Sequence, residues 1–503
     1  MLRTTNPNRT LWEAILPPGF EDLPVELGRV DRLLDDPVFF EPYRPHFSAV
    51  MGRPSTPIDT YLRMMFLKSR YGLGYESLCR EVGDSISWSR FCRIPLGDAV
   101  PHPSTLGKLT ARCGEGVIDE LNRALLVKAN GQKVIKTNQV RADTTVVGAN
   151  VSYPTDSGLL TKAIGLIVGL VTAIHTAGGA GRTKVRDRRR AAGRRARSIS
   201  AHLKLRNDDA KAAVLTITGE LADLAEASIA EATRVLLNAR RALARQGDAA
   251  SGQLRSAVGE LEVILGRAGR VVTQTRGRLA GDMPASATRL ISMHDPDARP
   301  IAKGRLGKPV EFGYKAQVVD NVDGIILDHS VHQGNPADAP LLEPAIARIK
   351  KMTGRAPTAV TADRGYGEAK IDEALVELGV KNVVIPRKGK PSASRRATEH
   401  RRGFVRLVKW RTGSEGRISY LKRRWGWDRT LYDGLGGAAT WCGLGVLAHN
   451  SIKIAALVYA DESRTPVPLA HRPSPSRDDA ATIRRATTSP DPPPGPILPD
   501  AAA

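Results

Sequence analysis

Three acidic residues lie at positions where an acidic side chain needs an explanation. Asp143 lies inside RADTTVVGANVSY, a β-branched stretch that predicts a strand, and aspartate is disfavoured in strand interiors. Asp363 ends TAVTAD, a predicted buried strand, at the carboxyl end where α/β sheets place their sites. Glu415 is the one glutamate in the strongly basic stretch from Trp410 to Arg429. Each also has an ordinary structural explanation: an edge strand or turn for Asp143, a helix cap for Asp363 and charge pairing for Glu415.

The chemistry of such a set depends on whether the fold brings the carboxylates together. In an α/β sheet, two adjacent strands can place Asp143 and Asp363 side by side, where they repel each other unless a cation lies between them. A third carboxylate on a nearby helix completes a site for hard divalent ions, which retain water and bind phosphate oxygens. Two such ions are the arrangement used for phosphodiester chemistry, so the acids predict metal-dependent cleavage of a nucleic acid.

The overall charge agrees with a polyanionic partner. The 503-residue chain has 75 Lys and Arg against 52 Asp and Glu, a formal net charge of +23, and this excess favours a nucleic acid as the partner. Nine basic residues fall between Arg182 and Arg197. A solvated helix face is one interpretation of this cluster and contact with DNA phosphates is the other. The residues that we predict to bind phosphates are Arg188, Arg189, Arg190, Arg194 and Arg195.

Cysteine usage and hydropathy exclude several other classes. The four cysteines have no C-x-x-C spacing, which argues against a disulfide framework or a zinc ribbon. The N-terminus lacks the long apolar core of a signal peptide. The longest apolar run, Ala163 to Ile174, is shorter than the roughly 20 residues needed to span a bilayer, so it predicts a buried helix. We therefore expect a cytoplasmic protein with no membrane partner.

The elements that must position the acids predict an α/β fold with a mixed sheet flanked by helices. Apolar residues at helical spacing predict a helical hairpin that interrupts the α/β domain after the strand of Asp143. Short helices near the N-terminus fit either a helix-turn-helix type of module or an ordinary helical bundle. The predicted segments are an N-terminal arm (residues 1–40), a helical domain (41–130), the first part of the α/β domain (131–160), a helical insertion (161–290), the second part of the α/β domain (291–456) and a disordered tail (457–503).

Taken in order, these segments resemble the DDE transposases of bacterial insertion sequences, in particular the groups numbered four and five, whose catalytic domain is RNase H-like. DTTVVGANVSYP resembles their first-aspartate strand, and TADRGYGEAKIDEALVELGVKNVVIP resembles their second-aspartate segment. Between the two, DARPIAKGRLGKPVEFGYKAQVVDNVDGIILDHSVHQGNPAD resembles their second and third strands. Their glutamate signature, Tyr-x2-Arg-x3-Glu-x6-Lys, is matched by Arg411, Glu415 and Lys422, whereas Val408 occupies the tyrosine position.

The resemblance implies a mobile-element enzyme that cleaves DNA at insertion-sequence ends and transfers the strands into target DNA. It implies that Asp143, Asp363 and Glu415 are catalytic and hold metal, with two Mg²⁺ as the expected ions and Mn²⁺ as a substitute. Its partners would be the terminal inverted repeats and the target DNA, bound by a homodimer or higher oligomer at the bacterial nucleoid. Another RNase H-like DNA endonuclease and a non-catalytic DNA-binding derivative of a transposase remain as alternatives.

The glutamate segment and the insertion carry two further expectations. If the segment is helical, Arg411 and Lys422, four residues before and seven after Glu415, share its face and can bind DNA, and we add Arg417 to this DNA-binding set. The helical insertion after Asp143 has no counterpart in the relatives that carry a strand-rich insert before the glutamate helix. We expect it either to contact DNA or to form a dimer.

Overall fold

A computed structural model describes most of the chain. It covers residues 1–5, 19, 22–48, 50–52, 54–205, 207–247, 251–303 and 309–460. The chain from Met1 to Val458 forms one compact unit. Residues 6–18, 20 and 21 of the predicted N-terminal arm lie outside the described residues, and so does nearly all of the tail predicted to be disordered.

Six strands form a single mixed sheet in the described chain. They are β1 (Gln139–Gly148), β2 (Arg299–Ala302), β3 (Val310–Asn321), β4 (Ile326–Gln333), β5 (Ala359–Thr361) and β6 (Asn382–Val384). β1 is central, because it pairs antiparallel with β3 on one side and parallel with β5 on the other, and β5 pairs parallel with β6. β2 and β4 share the far edge of β3. The predicted mixed sheet is confirmed.

The β3–β4 hairpin turns where the sequence predicts a turn. Asn321 accepts the backbone N–H groups of Asp323 and Ile325 at its side-chain oxygen, and Gly324 has a φ of +75°, which suits glycine. β2 is an additional strand that the pattern did not predict. It is only four residues long and pairs along one edge, so its sequence has little room for alternation.

Helices surround the sheet and form the insertion. The α-helices of the described chain are α1 (Val25–Leu34), α2 (Ile58–Tyr71), α3 (Tyr75–Asp84), α4 (Ile86–Phe91), α5 (Pro103–Gly131), α6 (Asp156–Thr176), α7 (Arg189–His202), α8 (Asp208–Gln246), α9 (Gly252–Leu279), α10 (Ala339–Thr353), α11 (Ala369–Glu377), α12 (Ala393–Glu399), α13 (Arg402–Arg411), α14 (Gly413–Arg424) and α15 (Gly434–Val458). Short 3-10 turns cover Pro37–Phe39, Glu41–His46 and Arg364–Tyr366.

The insertion has a hydrophobic core of its own. α6 to α9 pack together through buried residues such as Ile164, Leu221, Val235 and Leu261, and α8 with α9 forms the predicted helical hairpin. Burying a continuous apolar stripe on each helix is what stabilises such a bundle. The helical insertion after the first strand of the sheet is therefore confirmed.

Two helices are long and apolar enough to cross a membrane by length and composition. They are α6 and α15. α6 packs against α7, α8 and α9 in the insertion, whereas α15 packs against β4 and the N-terminal helices α1, α2 and α5. Packing within the fold thus accounts for their apolar residues. A helix that is apolar all round is typical of a protein core as well as of a membrane span.

A buried lysine joins the N-terminal helices to the region around α15. Lys68 is 4% exposed, and its ammonium lies 5.1 Å, 5.3 Å and 4.4 Å from the ring centroids of Tyr75, Tyr432 and Trp441. Burial lowers the pKa of Lys68 to about 8. The aromatic faces stabilise the ammonium and offset part of its desolvation.

We expect Lys68 to make stability depend on pH above neutrality. Between pH 8 and 10.5 the unfolded chain keeps a proton that folded Lys68 has released, so the free energy of unfolding rises with pH by about 1 to 3 kcal/mol. A Lys68→Met variant lacks this rise. Urea unfolding of both proteins from pH 7 to 10.5 measures the difference, and a wild-type minus variant difference that stays constant with pH would contradict it.

Candidate active site

The sheet places Asp143 on β1 and Asp363 just beyond the end of β5, the adjacent parallel strand. β1 and β5 pair in a register that aligns Arg141 with Thr361. Asp143 lies two residues further along β1, and Asp363 lies two residues after Thr361, the last residue of β5, with an extended backbone. Side chains two residues apart along an extended chain lie on the same face, which places the two aspartates on one face. The negative charge of Asp363 contributes to the raised pKa of Asp143, as expected for neighbouring carboxylates. The structure thus brings these two predicted site residues together.

Asp143 is largely shielded from solvent, with a side chain that is 13% exposed, and it is held by hydrogen bonds. Its Oδ2 accepts a hydrogen bond of 2.6 Å from the Ser414 hydroxyl, and its Oδ1 accepts one of 2.8 Å from the Thr144 backbone N–H. Arg411 Nη1 lies 3.5 Å from Oδ2. Burial raises the pKa of Asp143, and Asp363 adds to this, while the two hydrogen bonds and Arg411 oppose it. An acid with a raised pKa and a like-charged neighbour is a typical feature of functional sites.

Asp363 caps a turn of helix and also lies in the candidate site. Its Oδ1 accepts a 2.8 Å hydrogen bond from the backbone N–H of Gly365 and so caps the 3-10 turn that follows β5. The cap uses one of the two carboxylate oxygens. It fixes the side chain beside Asp143 and does not compete with a role in binding a cation.

Glu415 is positioned next to the site but faces away from it. It lies in the first turn of α14 with an exposed side chain, whereas the preceding residue, Ser414, is buried against Asp143. Among the described residues, no hydrogen bond joins the Glu415 carboxylate to either aspartate, and no three His, Cys, Asp or Glu side chains are clustered closely enough to hold a metal ion. The structure brings the backbone of Glu415 to the site and leaves its carboxylate outside.

Asp338 is an acid of the site region that the sequence patterns did not single out. A Cβ atom on Gly365 would lie 2.9 Å from Asp363 Oδ1 and 3.0 Å from Asp338 Oδ2, so the two carboxylates flank this glycine. Asp338 also accepts a 2.9 Å hydrogen bond from the Thr144 hydroxyl and pairs with Lys315 at 2.5 Å. The available signal was its place at the end of GNPAD, directly before α10.

A buried ion-pair network attaches the glutamate helix to the sheet. Asp320 on β3 is 1% exposed and accepts hydrogen bonds of 2.8 Å and 2.9 Å from Arg141 and one of 3.1 Å from Arg417. Arg141 precedes Asp143 by two residues, and Arg417 follows Glu415 by two. Arg141 also donates to the backbone carbonyl of Trp410 at 2.9 Å. One carboxylate therefore fixes both the first-aspartate strand and the helix that carries Glu415.

Comparison with known protein families shows which family the chain belongs to. The model described as Transposase domain (DUF772) matches residues 19–112, and the model described as Transposase DDE domain matches residues 289–451. This chain belongs to the DDE transposases of insertion sequences. No curated protein and no solved structure matches it. Members of the family generally depend on divalent metal ions.

The matched regions of the transposase contain two of the three predicted acids. Asp363 and Glu415 lie inside the match to the DDE domain, whereas Asp143 lies between the two matches, together with the helical insertion. The pairing of β1 with β3 and β5 connects Asp143 to the matched part of the sheet. The geometry, and not the family match, therefore associates Asp143 with the other two acids.

The predicted DNA-binding residues of the glutamate segment have different surroundings in the transposase. Arg411 is the last residue of α13, beside Asp143, and Thr412 separates it from α14. Arg417 is largely buried against Asp320. Lys422 lines a cavity of about 430 Å³ beyond the end of β1. The segment thus forms two consecutive helices, and Gly413 at the junction leaves room for the Arg141 guanidinium, which would lie 2.5 Å from a Cβ atom there.

The five arginines predicted to bind phosphates fall into two groups. Three of them form ion pairs within the insertion: Arg188 with Glu231 (2.6 Å), Arg189 with Asp187 (2.7 Å) and Arg195 with Glu220 (2.8 Å). Arg190 and Arg194 are exposed, and the charge of Arg190 adds to that of Arg189 in lowering the pKa of Asp187. Acidic side chains thus offset much of the positive charge of this cluster.

Proposed function

We propose that this transposase cleaves DNA at the ends of an insertion sequence and joins the freed 3′-hydroxyl ends to target DNA, with Asp143, Asp363 and Glu415 as its catalytic residues. The observation that carries the proposal is the pair of neighbouring carboxylates of Asp143, on β1, and Asp363, two residues after the end of the adjacent parallel strand β5. Two oriented carboxylates beside a strongly basic helix provide a place for a phosphodiester and for the charge that develops on it.

The donor set of the site fits hard divalent ions. Asp143 and Asp363 supply carboxylate oxygens whose mutual repulsion a cation would relieve, and Mg²⁺ with Mn²⁺ as a substitute suits such ligands. When bound, two ions supply an activated water and neutralise charge on the scissile phosphate. Ser414 and the Thr144 backbone hold Asp143 in place for this role. Glu415 adds the third carboxylate when its exposed side chain turns toward the aspartates.

Basic residues around the acids would hold the DNA. Arg411 lies beside Asp143 and can contact the phosphate that the acids act on. Lys422 and Arg417 follow on α14, and Arg188, Arg189, Arg190, Arg194 and Arg195 provide further charge on the insertion. Because two element ends must be joined to one target, we propose a homodimer or higher oligomer on DNA, in the cytoplasm at the nucleoid and without a membrane partner.

Cleavage of defined duplexes tests the proposed reaction. The transposase is incubated with Mg²⁺ and a duplex that carries a terminal inverted repeat taken from the DNA flanking its gene, and with a matched duplex whose repeat is scrambled. We expect a nick at the repeat boundary of the first duplex only, and none in EDTA. Equal cutting of both duplexes would indicate a general endonuclease, and binding without cutting would indicate a non-catalytic derivative.

The hydrogen bond from Ser414 to Asp143 should set the pH below which the cleavage rate falls. It favours the ionised form of Asp143, so a Ser414→Ala variant has a higher Asp143 pKa. Because cleavage needs the ionised form, the rate of the variant should fall at a pH about 1 unit higher than that of the wild type. Ser419→Ala, on the same helix, is the matched control. Superimposable pH–rate profiles for Ser414→Ala and the control would refute this role.

A further inference from the structure

A concave surface on the insertion is lined by arginines that have no acidic neighbour. It encloses about 400 Å³ between the chain that follows α6 and the last turns of α8. We call it the arginine pocket and define it by Arg182, Thr183, Asn238, Arg241 and Arg245. None of its lining residues is an Asp or Glu.

Hydrogen bonds preform the arginine pocket. Asn238 donates to the Thr183 hydroxyl at 2.8 Å and accepts from Arg241 at 3.4 Å, which ties the chain after α6 to α8. Arg241 and Arg245 are four residues apart on α8 and therefore project from the same face, toward Arg182. Three arginines thus line one cavity whose backbone framework is fixed before any ligand binds.

The charge of the pocket is not explained by helix stability. Like charges four residues apart destabilise a helix, and the negative end of the α8 dipole favours only a cation in its last turn, which is Arg245. Arg182 lies outside the helix and gains nothing from that dipole. In contrast to Arg188, Arg189 and Arg195, the three pocket arginines form no ion pair with a carboxylate within the described residues. An anionic ligand would relieve this repulsion.

We propose that the arginine pocket binds a phosphate group of the DNA backbone, so that the insertion is a second DNA-contact surface of the transposase. Guanidinium groups match phosphate oxygens through paired N–H donors, and three of them around one cavity can contact the same phosphate. The contact is independent of base sequence, because phosphates carry no direct sequence information. The inference rests on the proposed function, which makes DNA the substrate.

The salt dependence of DNA binding tests the arginine pocket. The triple variant Arg182→Gln/Arg241→Gln/Arg245→Gln is compared with Arg240→Gln/Arg276→Gln/Arg278→Gln, which removes three charges that are each paired with a carboxylate of the insertion. The probe is a fluorescent random-sequence duplex, which is titrated with each full-length protein at several NaCl concentrations. Each phosphate contact contributes about 0.9 to the slope of log affinity against log salt. We expect the pocket variant to lower the slope by about 1 to 2 and the control by less than about 0.5.

A thermal measurement keeps the proposal testable if binding is difficult to interpret. Since the pocket arginines repel one another, the pocket variant should melt at or above the melting temperature of the wild type at low salt. The control variant loses ion pairs and should therefore melt below the wild type. Equal salt slopes for the two triple variants, both folded, would overturn the proposal that the arginine pocket binds a phosphate. A wild type that binds DNA but never cleaves it would overturn the proposed reaction and leave the slope comparison intact, so the two failures are distinguishable.

Discussion

Asp143→Asn, Asp363→Asn and Glu415→Gln each abolish DNA cleavage, lowering its rate by at least about 10³-fold, while affinity for DNA changes little. Each substitution removes the charge of one carboxylate and keeps the size of the side chain. Asp143 and Asp363 have this effect because they form a pair of neighbouring carboxylates, on β1 and directly after β5. Cleavage assays beside gel shifts with the same duplex separate chemistry from binding.

Glu373→Gln is the matched control for these three variants. Glu373 is an exposed acid on α11, so its loss should leave the cleavage rate within about twofold of the wild type. Near-normal cutting by any of the three site variants would remove that residue from the catalytic set. For Glu415 the test has particular force, because its carboxylate lies outside the aspartate pair in this structure.

Asp320→Ala destabilises the protein by about 3 to 5 kcal/mol and also impairs cleavage. The substitution leaves the guanidinium groups of Arg141 and Arg417 buried without their carboxylate. Arg417 of the glutamate helix and Arg141 of β1 both pair with Asp320, so the substitution removes this connection between the helix and β1 and leaves the contact from Ser414 to Asp143. Urea unfolding measures the first effect and the cleavage rate measures the second.

The neighbouring turn offers a control for Asp320. Asp323 pairs with Lys136, whose side chain is 67% exposed, so Asp323→Ala should cost less than about 1 kcal/mol. An Asp320→Ala protein as stable as Asp323→Ala would show that the network does not hold the helix. A protein that is destabilised but cleaves normally would show that the network stabilises the fold without positioning Glu415.

The sequence predicted the parts of the fold that depend on local pattern. The strand of Asp143, the β3–β4 hairpin and the α8–α9 hairpin all follow from side-chain periodicity and turn residues, and the structure confirms them. The parallel pairing that carries Asp363 alongside Asp143 could be anticipated, since strand ends in α/β sheets converge.

The remaining features depend on contacts between residues far apart in the chain. Arg141 and Asp320 are 179 positions apart, and no local pattern marks them as partners. Asp338, which follows β4, approaches Asp363, which follows β5, through contacts with Thr144 on β1 and Lys315 on β3 that no local pattern marks. A count of basic residues between Arg182 and Arg197 does not reveal that Glu231 and Glu220, on another helix, neutralise some of them.

The direction of the Glu415 side chain is a further limit of sequence reasoning. Spacing along a helix places Glu415 near the acids, but the contact from Ser414 to Asp143 decides which face of α14 meets the sheet. Neighbouring residues of a helix point about 100° apart, so Ser414 inside leaves Glu415 outside.

Counting metal ions in the DNA complex tests the central claim most directly. Electron paramagnetic resonance measures free Mn²⁺ as it is titrated into the transposase bound to a duplex with the terminal repeat, and the same titration is made with Asp143→Asn/Asp363→Asn. If the two aspartates hold the catalytic ions, the wild-type complex retains up to two more tightly bound Mn²⁺ than the variant complex. Equal retention of Mn²⁺ by the two complexes would contradict the assignment of Asp143 and Asp363 as the metal site.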